Sequence, residues 1–183
     1  EVMKLSRTGH TAWTLTEVSF TDGPYLATNS TDTTLTPQQT GTGTGKTITA
    51  SAITGINGGV GWLATDVGRI LKFNSGKAII TARTNATVAV ATITTAFTNT
   101  DATAAFNLGA FSNTTGFPSC VSFFEQRLVF AGTTDEPQTL YFSKSGDYEN
   151  MTTGTNADDA MVYTIASNQV NKIRYLKAVR TLL

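Results

Sequence analysis

The stretch GRILKFNSGKAIITART, from Gly68 to Thr84, decides what kind of fold this chain adopts. Apolar and polar residues alternate on both sides of Asn74-Ser75-Gly76, which is the period of a β-strand with one covered face. Asn, Ser and Gly tolerate the backbone angles that a tight turn demands, so the stretch predicts a β-hairpin. We therefore expect a fold built from strands.

Composition supports an all-β fold and narrows the classes of function. Threonine occurs 36 times in 183 residues, and this β-branched residue suits strands and weakens helices. The formal net charge is zero with 14% charged residues, so no basic surface for gripping nucleic acid is predicted. Cys120 is the single cysteine, which excludes an internal disulfide and a cysteine metal cluster. No apolar run approaches the roughly 20 residues that span a bilayer, so no membrane anchor is expected.

The chain divides into four regions by composition. Residues 1–20 alternate apolar and polar residues around Thr8-Gly9-His10 and predict a β-hairpin. Residues 21–45, with two prolines and four glycines, predict a linker or long loop. Residues 46–105 predict a small β-barrel of about five short strands. Residues 106–183 predict further strands, including a hairpin across Thr133 to Pro137.

Two further expectations concern the middle and the end of the chain. Residues 46–105 should form a compact unit over a core of Ile48, Ile53, Val67, Ile70, Leu71, Ile79, Ile80, Val88, Val90 and Ile93. The stretch Lys172–Val179 favours a strand through its Ile, Tyr and Val content, with a short helix over Ser167–Val179 as the alternative. Because the sequence does not begin with Met and stops in an apolar stretch, we expect a piece of a larger protein.

The stretch TGTGTGKTIT, from Thr40 to Thr49, resembles the end of a phosphate-binding loop. Gly45, Lys46 and Thr47 match that ending, but Thr40 stands where the loop requires its first glycine. β-Branched residues follow, whereas a working loop opens a helix whose N terminus helps to hold the phosphates. We interpret the stretch as a flexible Thr/Gly linker and expect no nucleotide binding.

Two parts of the chain contain recognisable sequence elements. Those of the C-terminal third are Gly116-Phe117-Pro118, Gln126-Arg127-Leu128, Gly132-Thr133, Pro137-Gln138-Thr139, Ser143, Ser145-Gly146-Asp147-Tyr148, Asp158-Asp159 and Ser167 to Asn171. In these elements the C-terminal third resembles the tail tubular protein B, or nozzle, family of short-tailed bacteriophages. ATDVGRILKFNSGKAIITARTNATVAVATI, from Ala64 to Ile93, is similar to a small β-barrel inserted before that segment in many phage structural proteins. Together the resemblances cover roughly Lys46 to Leu176.

The nozzle resemblance implies an architecture and a set of partners. It implies an incomplete β-propeller whose blade strands come from residues 1–20 and 106–183, with residues 46–105 as an inserted small β-barrel. It also implies a homo-oligomer, a ring of six around the DNA exit channel, with contacts to other tail proteins such as the adaptor and the fibres. Double-stranded DNA would pass without specific contacts. The implied location is the virion, after synthesis in the host cytoplasm.

Residue types that often carry chemistry have plainer explanations in this sequence. Three acidic groups, Asp135-Glu136, Asp147 with Glu149, and Asp158-Asp159, could serve a glycosidase or bind Ca²⁺, but turn chemistry is favoured. His10 has no partner in sequence and is interpreted as a surface residue, and Cys120 as a small core hydrophobe. We expect no catalytic residue, no cofactor and no metal.

Aromatic and basic residues are the remaining candidates for a functional site. Alternation within strands favours core packing over base or sugar stacking for Phe123, Phe124, Phe130, Tyr141, Phe142 and Tyr148. Positive charge is concentrated locally at Lys144, Lys172, Arg174, Lys177 and Arg180. These side chains are expected either to face a DNA channel or to lie on the solvent-exposed face of a strand.

The sequence therefore predicts a structural, non-enzymatic subunit of a phage tail. The alternative is an adhesin-like β domain that recognises host glycans through its Thr/Asn-rich loops. A nucleotide-driven enzyme is the third and least favoured interpretation.

Overall fold

The computed structural model describes residues 1–166, 169 and 171–178, and within them the fold is all-β, as predicted. The strands of this part of the chain are β1 (Met3–Arg7), β2 (Trp13–Glu17), β3 (Leu35–Pro37), β4 (Gly43–Ala50), β5 (Ile70–Phe73), β6 (Gly76–Arg83), β7 (Val88–Thr95), β8 (Asn107–Leu108), β9 (Cys120–Phe124), β10 (Arg127–Ala131), β11 (Thr139–Phe142) and β12 (Met161–Thr164). Two single-turn 3₁₀ helices span Asn57–Gly59 and Ala64–Asp66. The chain forms two compact units: the central unit, Tyr25–Thr114, and the split unit, made of Glu1–Pro24 and Thr115–Leu183.

The central unit is built on one curled, half-barrel sheet of six antiparallel strands. Their order is β3-β4-β7-β6-β5-β8. The predicted hairpin at Asn74-Ser75-Gly76 is present, because Phe73 pairs with Gly76 across a two-residue turn. Asn74 and Ser75 have φ of 44° and 57°, the left-handed angles that such a turn requires. A side chain at Gly76 would come within 2.4 Å of the Phe97 ring, so only glycine fits there.

The core of the central unit lies on one face of this sheet and differs in part from the predicted one. Ile48, Leu71, Ile80 and Ile93 are buried as expected, whereas Ile70, Ile79, Val88 and Val90 alternate with them and are half-buried on the other face. Ile53 and Val67 are exposed because they lie in loops, outside the strands. The main contributors that the sequence did not predict are Leu35, Ile56, Trp62, Phe73, Phe97, Phe106 and Leu108.

The predicted linker, residues 21–45, needs correction because most of it belongs to the central unit. Strand β3 and the start of β4 lie within it, and the Leu35 side chain is fully buried. Its polar residues satisfy the backbone of a fixed loop, since Asn29 Nδ2 donates to the carbonyl oxygens of Thr31, Thr33 and Ala104 at 3.0–3.1 Å. Side chains that replace water around backbone groups make a low-hydrophobicity segment part of a fold.

The split unit contains a hairpin and a four-stranded sheet. Strands β1 and β2 pair around the Thr8–His10 turn, as predicted for residues 1–20. The sheet has the order β12-β11-β10-β9, so each strand pairs with its neighbour in sequence. The β10–β11 hairpin across Thr133 to Pro137 is also confirmed. Glu125 and Gln126, with φ of 46° and 60°, form a two-residue turn between β9 and β10.

Two other predictions concern the end of the chain and its relation to membranes. The described residues 171–178 have no regular structure, so they show neither the strand expected over Lys172–Val179 nor its alternative, a helix over Ser167–Val179. Ser167, Asn168, Val170 and Val179 lie outside the described residues. Ile173 is instead held by backbone contacts, because its N–H donates to the Pro137 carbonyl at 2.9 Å. Within residues 1–166, 169 and 171–178, no helix has the length and apolar character needed to cross a bilayer.

Candidate functional site

The four-stranded sheet of the split unit has two faces, which its register defines. Residues directly opposite one another on paired strands point to the same side. Phe130 pairs with Val121 and Tyr141, and Tyr141 pairs with Val162, so these residues define the first face. The second face carries Ser122, Phe124, Val129, Phe142 and Met161.

Burial is concentrated at the centre of this sheet, and exposure at its two edges. On the first face Phe130 and Tyr141 are buried, and on the second face Val129 is buried. Both edge strands expose large apolar side chains: Val121 (56%), Phe123 (60%) and Phe124 (40%) on β9, and Met161 (45%), Val162 (43%) and Tyr163 (61%) on β12. A sheet that is apolar on both faces is typical of an inner layer, covered on both sides. We call the two exposed strands the β9 edge and the β12 edge.

An apolar groove of about 500 Å³ lies within the split unit. Its lining includes Met3, Leu5, Val121, Phe123, Phe130 and Tyr148. Phe20, just after the hairpin, packs edge-on against Phe130 with ring centroids 5.9 Å apart. Lys4 and Glu149, which also line the groove, form an ion pair. The groove is therefore mainly apolar, and its charged lining consists of the Lys4–Glu149 ion pair and Glu1.

The hairpin of β1 and β2 is amphipathic. Leu5 pairs with Leu15 and Arg7 with Trp13, and with Met3 these residues share one face. Lys4, Ser6, Thr14 and Thr16 form the other face. Leu5, Leu15 and Trp13 are each more than half exposed. A two-stranded hairpin with an uncovered apolar face is marginal in water, so this face is a second candidate interaction surface.

The loops at one end of the four-stranded sheet are fixed by a buried arginine. Arg127 Nη1 donates to the carbonyl oxygens of Ser143 (2.7 Å) and Asp159 (2.6 Å), and its Nη2 donates to Ala157 (2.6 Å). Lys144 Nζ lies 2.9 Å from Asp159 Oδ1. Hydrogen bonding to Asp159 raises the pKa of Lys144, and the same contact lowers the pKa of Asp159. These contacts tie the loop of Ala157 and Asp159 to β10 and to the residue that follows β11.

The three acidic groups predicted from sequence are separated into different roles. Glu136 accepts a hydrogen bond from the Tyr141 hydroxyl, and burial followed by this carboxylate raises the pKa of Tyr141. Glu149 pairs with Lys4, and Asp159 with Lys144. In the part of the chain that the structure describes, no three acidic, histidine or cysteine side chains are grouped to hold a metal ion. Asp159 Oδ2 also accepts from Asn156 N at 3.0 Å, which is the turn role that the sequence favoured, whereas Glu136 and Glu149 contact the side chains of Tyr141 and Lys4.

His10 and Cys120 lie in different settings. His10 is exposed in the hairpin turn, and its Nδ1 lies 3.0 Å from Arg7 Nη2. Cys120 is half-buried on β9, and its Sγ contacts the carbonyl oxygens of Ala131 and Ile173. Burial raises the pKa of this thiol, against smaller opposing effects of Ser119 and Lys172. A raised thiol pKa disfavours the thiolate and hence nucleophilic chemistry.

The aromatic prediction holds only for the centre of the sheet. Phe130 and Tyr141 are core residues and Phe142 is half-buried, whereas Phe123, Phe124 and Tyr148 are exposed. Phe123 and Tyr148 pack against one another edge-on with centroids 5.2 Å apart. Strand alternation in sequence separates two faces but does not tell a central strand from an edge strand.

The basic residues do not form one strand face. Lys144 is paired with Asp159, while Lys172, Arg174 and Lys177 are exposed in the irregular segment 171–178. Arg180 lies outside the described residues. The interpretation as a solvated strand face therefore needs correction, because this segment forms no strand.

The flexible linker predicted over Thr40–Thr49 needs correction, because residues 43–49 belong to strand β4 (Gly43–Ala50). It pairs with β7 through Lys46, Thr47, Ile48 and Thr49, with a bulge between Gly43 and Lys46. Gly45 has φ of 65° at this bulge. The next helical element is the single 3₁₀ turn Asn57–Gly59, which does not begin at the end of the strand, so the helix N terminus that a phosphate-binding loop needs is missing from this stretch.

A buried polar network in the central unit was not predicted. Asp66 Oδ1 accepts from Arg69 Nη1 (3.0 Å) and Thr114 Oγ1 (2.8 Å), and Oδ2 accepts from Leu63 N (2.8 Å) and Asn57 Nδ2 (2.7 Å). The side chains of Asp66 and Arg69 are 0% and 1% exposed. The network is enclosed, and its hydrogen bonds join the loops that carry Asn57, Leu63 and Thr114. Its sequence signal, an acidic and a basic residue three positions apart, is too common to be diagnostic.

Comparison with known proteins gives no family assignment. No protein-family model matches the sequence, and no curated protein matches it.

Proposed function

We propose that this chain is a structural, non-enzymatic component of a bacteriophage tail, of the nozzle type. The observation that carries the proposal is the four-stranded meander, which is apolar on both faces and exposed at both edges. Sheets of four strands are the blades of β-propellers, where neighbouring blades cover both faces. A sheet of this kind is suited to a larger assembly.

The order of the units along the chain supports a propeller with an insertion. The split unit comprises Glu1–Pro24 and Thr115–Leu183, and the whole central unit lies between these segments in sequence. We propose that the split unit contributes propeller blade strands and that the curled half-barrel is the inserted barrel. The residues that resemble nozzle proteins fall mostly in the second segment of the split unit, on or next to β9 to β12; Ser167, Asn168 and Val170 lie outside the described residues.

The charge distribution is compatible with a conduit for DNA. Each phosphate that a protein neutralises adds salt-dependent affinity, which would hold a genome in place. A chain with zero formal net charge is not expected to bind the DNA phosphates strongly, so it would let the genome pass. The proposed partners are copies of the same chain in a ring of six, neighbouring adaptor and fibre proteins, and passing double-stranded DNA, all within the virion.

Electron microscopy of the purified chain tests the proposal. We expect closed rings with a central channel, together with weak, sequence-independent DNA binding in a titration at physiological salt. A monomer at all concentrations that binds a defined sugar on a glycan array would overturn the proposal in favour of the host-glycan alternative.

A further inference from the structure

We propose that the β9 edge of one copy of this chain pairs with the β12 edge of a second copy, so that the four-stranded sheet continues from copy to copy. The inference deepens the proposed function, on which it rests only for the closure of such a series into a ring. Within the described residues, β9 and β12 each have a single strand neighbour, so each has one open side.

The directions of the two edges make them complementary. All pairs in the sheet are antiparallel, so β9 and β12 run in opposite directions. Two copies in the same orientation can therefore join β12 to β9 as an antiparallel pair. Such a contact uses two different surfaces, and contacts of this type repeat into rings or filaments.

The exposed side chains match across the proposed junction. With strand ends aligned, Met161 of one copy faces Phe124 of the next on the second face, and Val162 faces Phe123 on the first face. Aromatic and β-branched pairs of this kind stabilise neighbouring strands. A shift of two residues keeps the faces and places Val162 opposite Val121. Either register covers apolar groups on both faces.

The apolar surface that this sheet still exposes lies on its two edge strands. Phe130, Tyr141 and Val129 at the sheet centre are already buried, whereas the large exposed apolar side chains of the sheet, within the described residues, are on β9 and β12. A strand added beside either edge would cover these side chains. In the central unit, by contrast, the edge strands are β3, which ends in Pro37, and β8, which has two residues. Short edge strands and prolines in edge strands prevent pairing between sheets. The edge strands of the split unit, β9 and β12, have neither feature.

The area involved predicts a weak contact between two copies. The exposed parts of the apolar side chains on β9, β12 and Ile165 amount to about 600 Å², taking 150–250 Å² for a large side chain. That is about half of the lower limit of roughly 1,200 Å² for a stable interface. Main-chain hydrogen bonds between the strands must supply the rest. Association should therefore depend on concentration and be strengthened when a series of copies closes.

Disulfide trapping tests the contact in the full 183-residue chain. In a Cys120→Ser background, the pair Phe123→Cys with Val162→Cys places both thiols on the first face at opposite edges. Within one copy they are three strand spacings apart, about 14 Å, which exceeds the roughly 7 Å that a disulfide spans. We expect a ladder of covalent oligomers under mild oxidation. The pair Val121→Cys with Val162→Cys tests the shifted register.

The matched control is Phe124→Cys with Val162→Cys, which places the thiols on opposite faces and should give no ladder. Three results would overturn the inference: no ladder from either first-face pair, an equal ladder from the control, or dimers from Phe123→Cys alone, which would indicate β9 pairing with β9.

A second variant separates this inference from the proposed function. Val162→Lys places a charge on an exposed position of the β12 edge, so it should abolish the association without unfolding the chain. Rings that persist in this variant would overturn edge pairing but not the proposed nozzle-type ring. A covalent ladder without rings in electron microscopy would support edge pairing and overturn the nozzle-type ring.

Discussion

The central unit and the split unit use the same antiparallel pairing but treat their edges differently. The six-stranded sheet ends in a three-residue strand with a proline and in a two-residue strand, and its core cluster contains Trp62 and three phenylalanines. The four-stranded sheet ends in strands of five and four residues that expose Phe123 and Tyr163. Because one chain protects one sheet and not the other, open edges are a property of the split unit and not of the composition.

The largest expected effect concerns the boundaries of the central unit. Residues 25–114, expressed alone, should show a cooperative thermal transition by circular dichroism. Residues 46–105 should show none, because they lack β3 with the buried Leu35, and also Phe106 and Leu108 of the core. Equal melting of both fragments would show that the residues outside 46–105 add nothing to the core.

A single substitution should also break the central unit. Asp66→Ala leaves the buried Arg69 without its carboxylate, and removing one partner of a buried ion pair costs about 3–5 kcal/mol. Urea unfolding in a Trp13→Phe background measures this, because Trp62 then reports the central unit alone. Asp101→Ala, at an exposed site, is the control and should change the free energy of unfolding by about 0.5 kcal/mol or less. A similar, small effect of both substitutions would contradict a stabilising role for the network.

Alanine substitution of two phenylalanines compares the stability contributed by the centre of the four-stranded sheet with that contributed by its edge. Phe130→Ala removes a buried ring and should cost about 3 kcal/mol, the lower end of the usual range, because neighbours can relax into the adjacent groove. Phe123→Ala, on the β9 edge, should cost about 0.5 kcal/mol or less in dilute monomer. Unfolding at low and at high protein concentration sharpens the test, since the Phe123 effect should grow with association. Equal losses in dilute solution would show that the β9 edge is not open.

Local patterns predicted those parts of the fold that depend on neighbours in sequence. The Asn74-Ser75-Gly76 hairpin and the Thr8–His10 hairpin follow from alternation and turn residues, which act over a few positions. The segment around Asn29 was taken for a linker because its stabilisation comes from a contact with the Ala104 carbonyl, 75 residues away. The turn at Glu125–Gln126 escaped prediction because left-handed angles are uncommon for such residues.

The candidate site was less predictable than the fold, for a physical reason. Phe123 and Phe130 have the same type and both follow strand alternation, yet one is 60% and the other 3% exposed. The difference depends on strand order, which is a tertiary property. Likewise, Asp66 and Arg69 form a buried network only because the loops of Asn57 and Thr114 fold over them. Strand alternation in the sequence indicates which residues share a face of a sheet, but not which strands lie at its edges.

The smallest expected effect is at Lys46, where the sequence resembles a phosphate-binding loop. Lys46 is half-buried in β4 opposite Ala91, and no helix begins at the end of this strand. Lys46→Ala should therefore change the free energy of unfolding by about 0.5 kcal/mol or less, as at other surface positions. Isothermal titration with ATP and GTP should show no binding to either form of the chain. Measurable nucleotide affinity that disappears with this substitution would show that β4 rearranges into a loop, and the contrast between a closed central unit and an open split unit would then fail at the central unit.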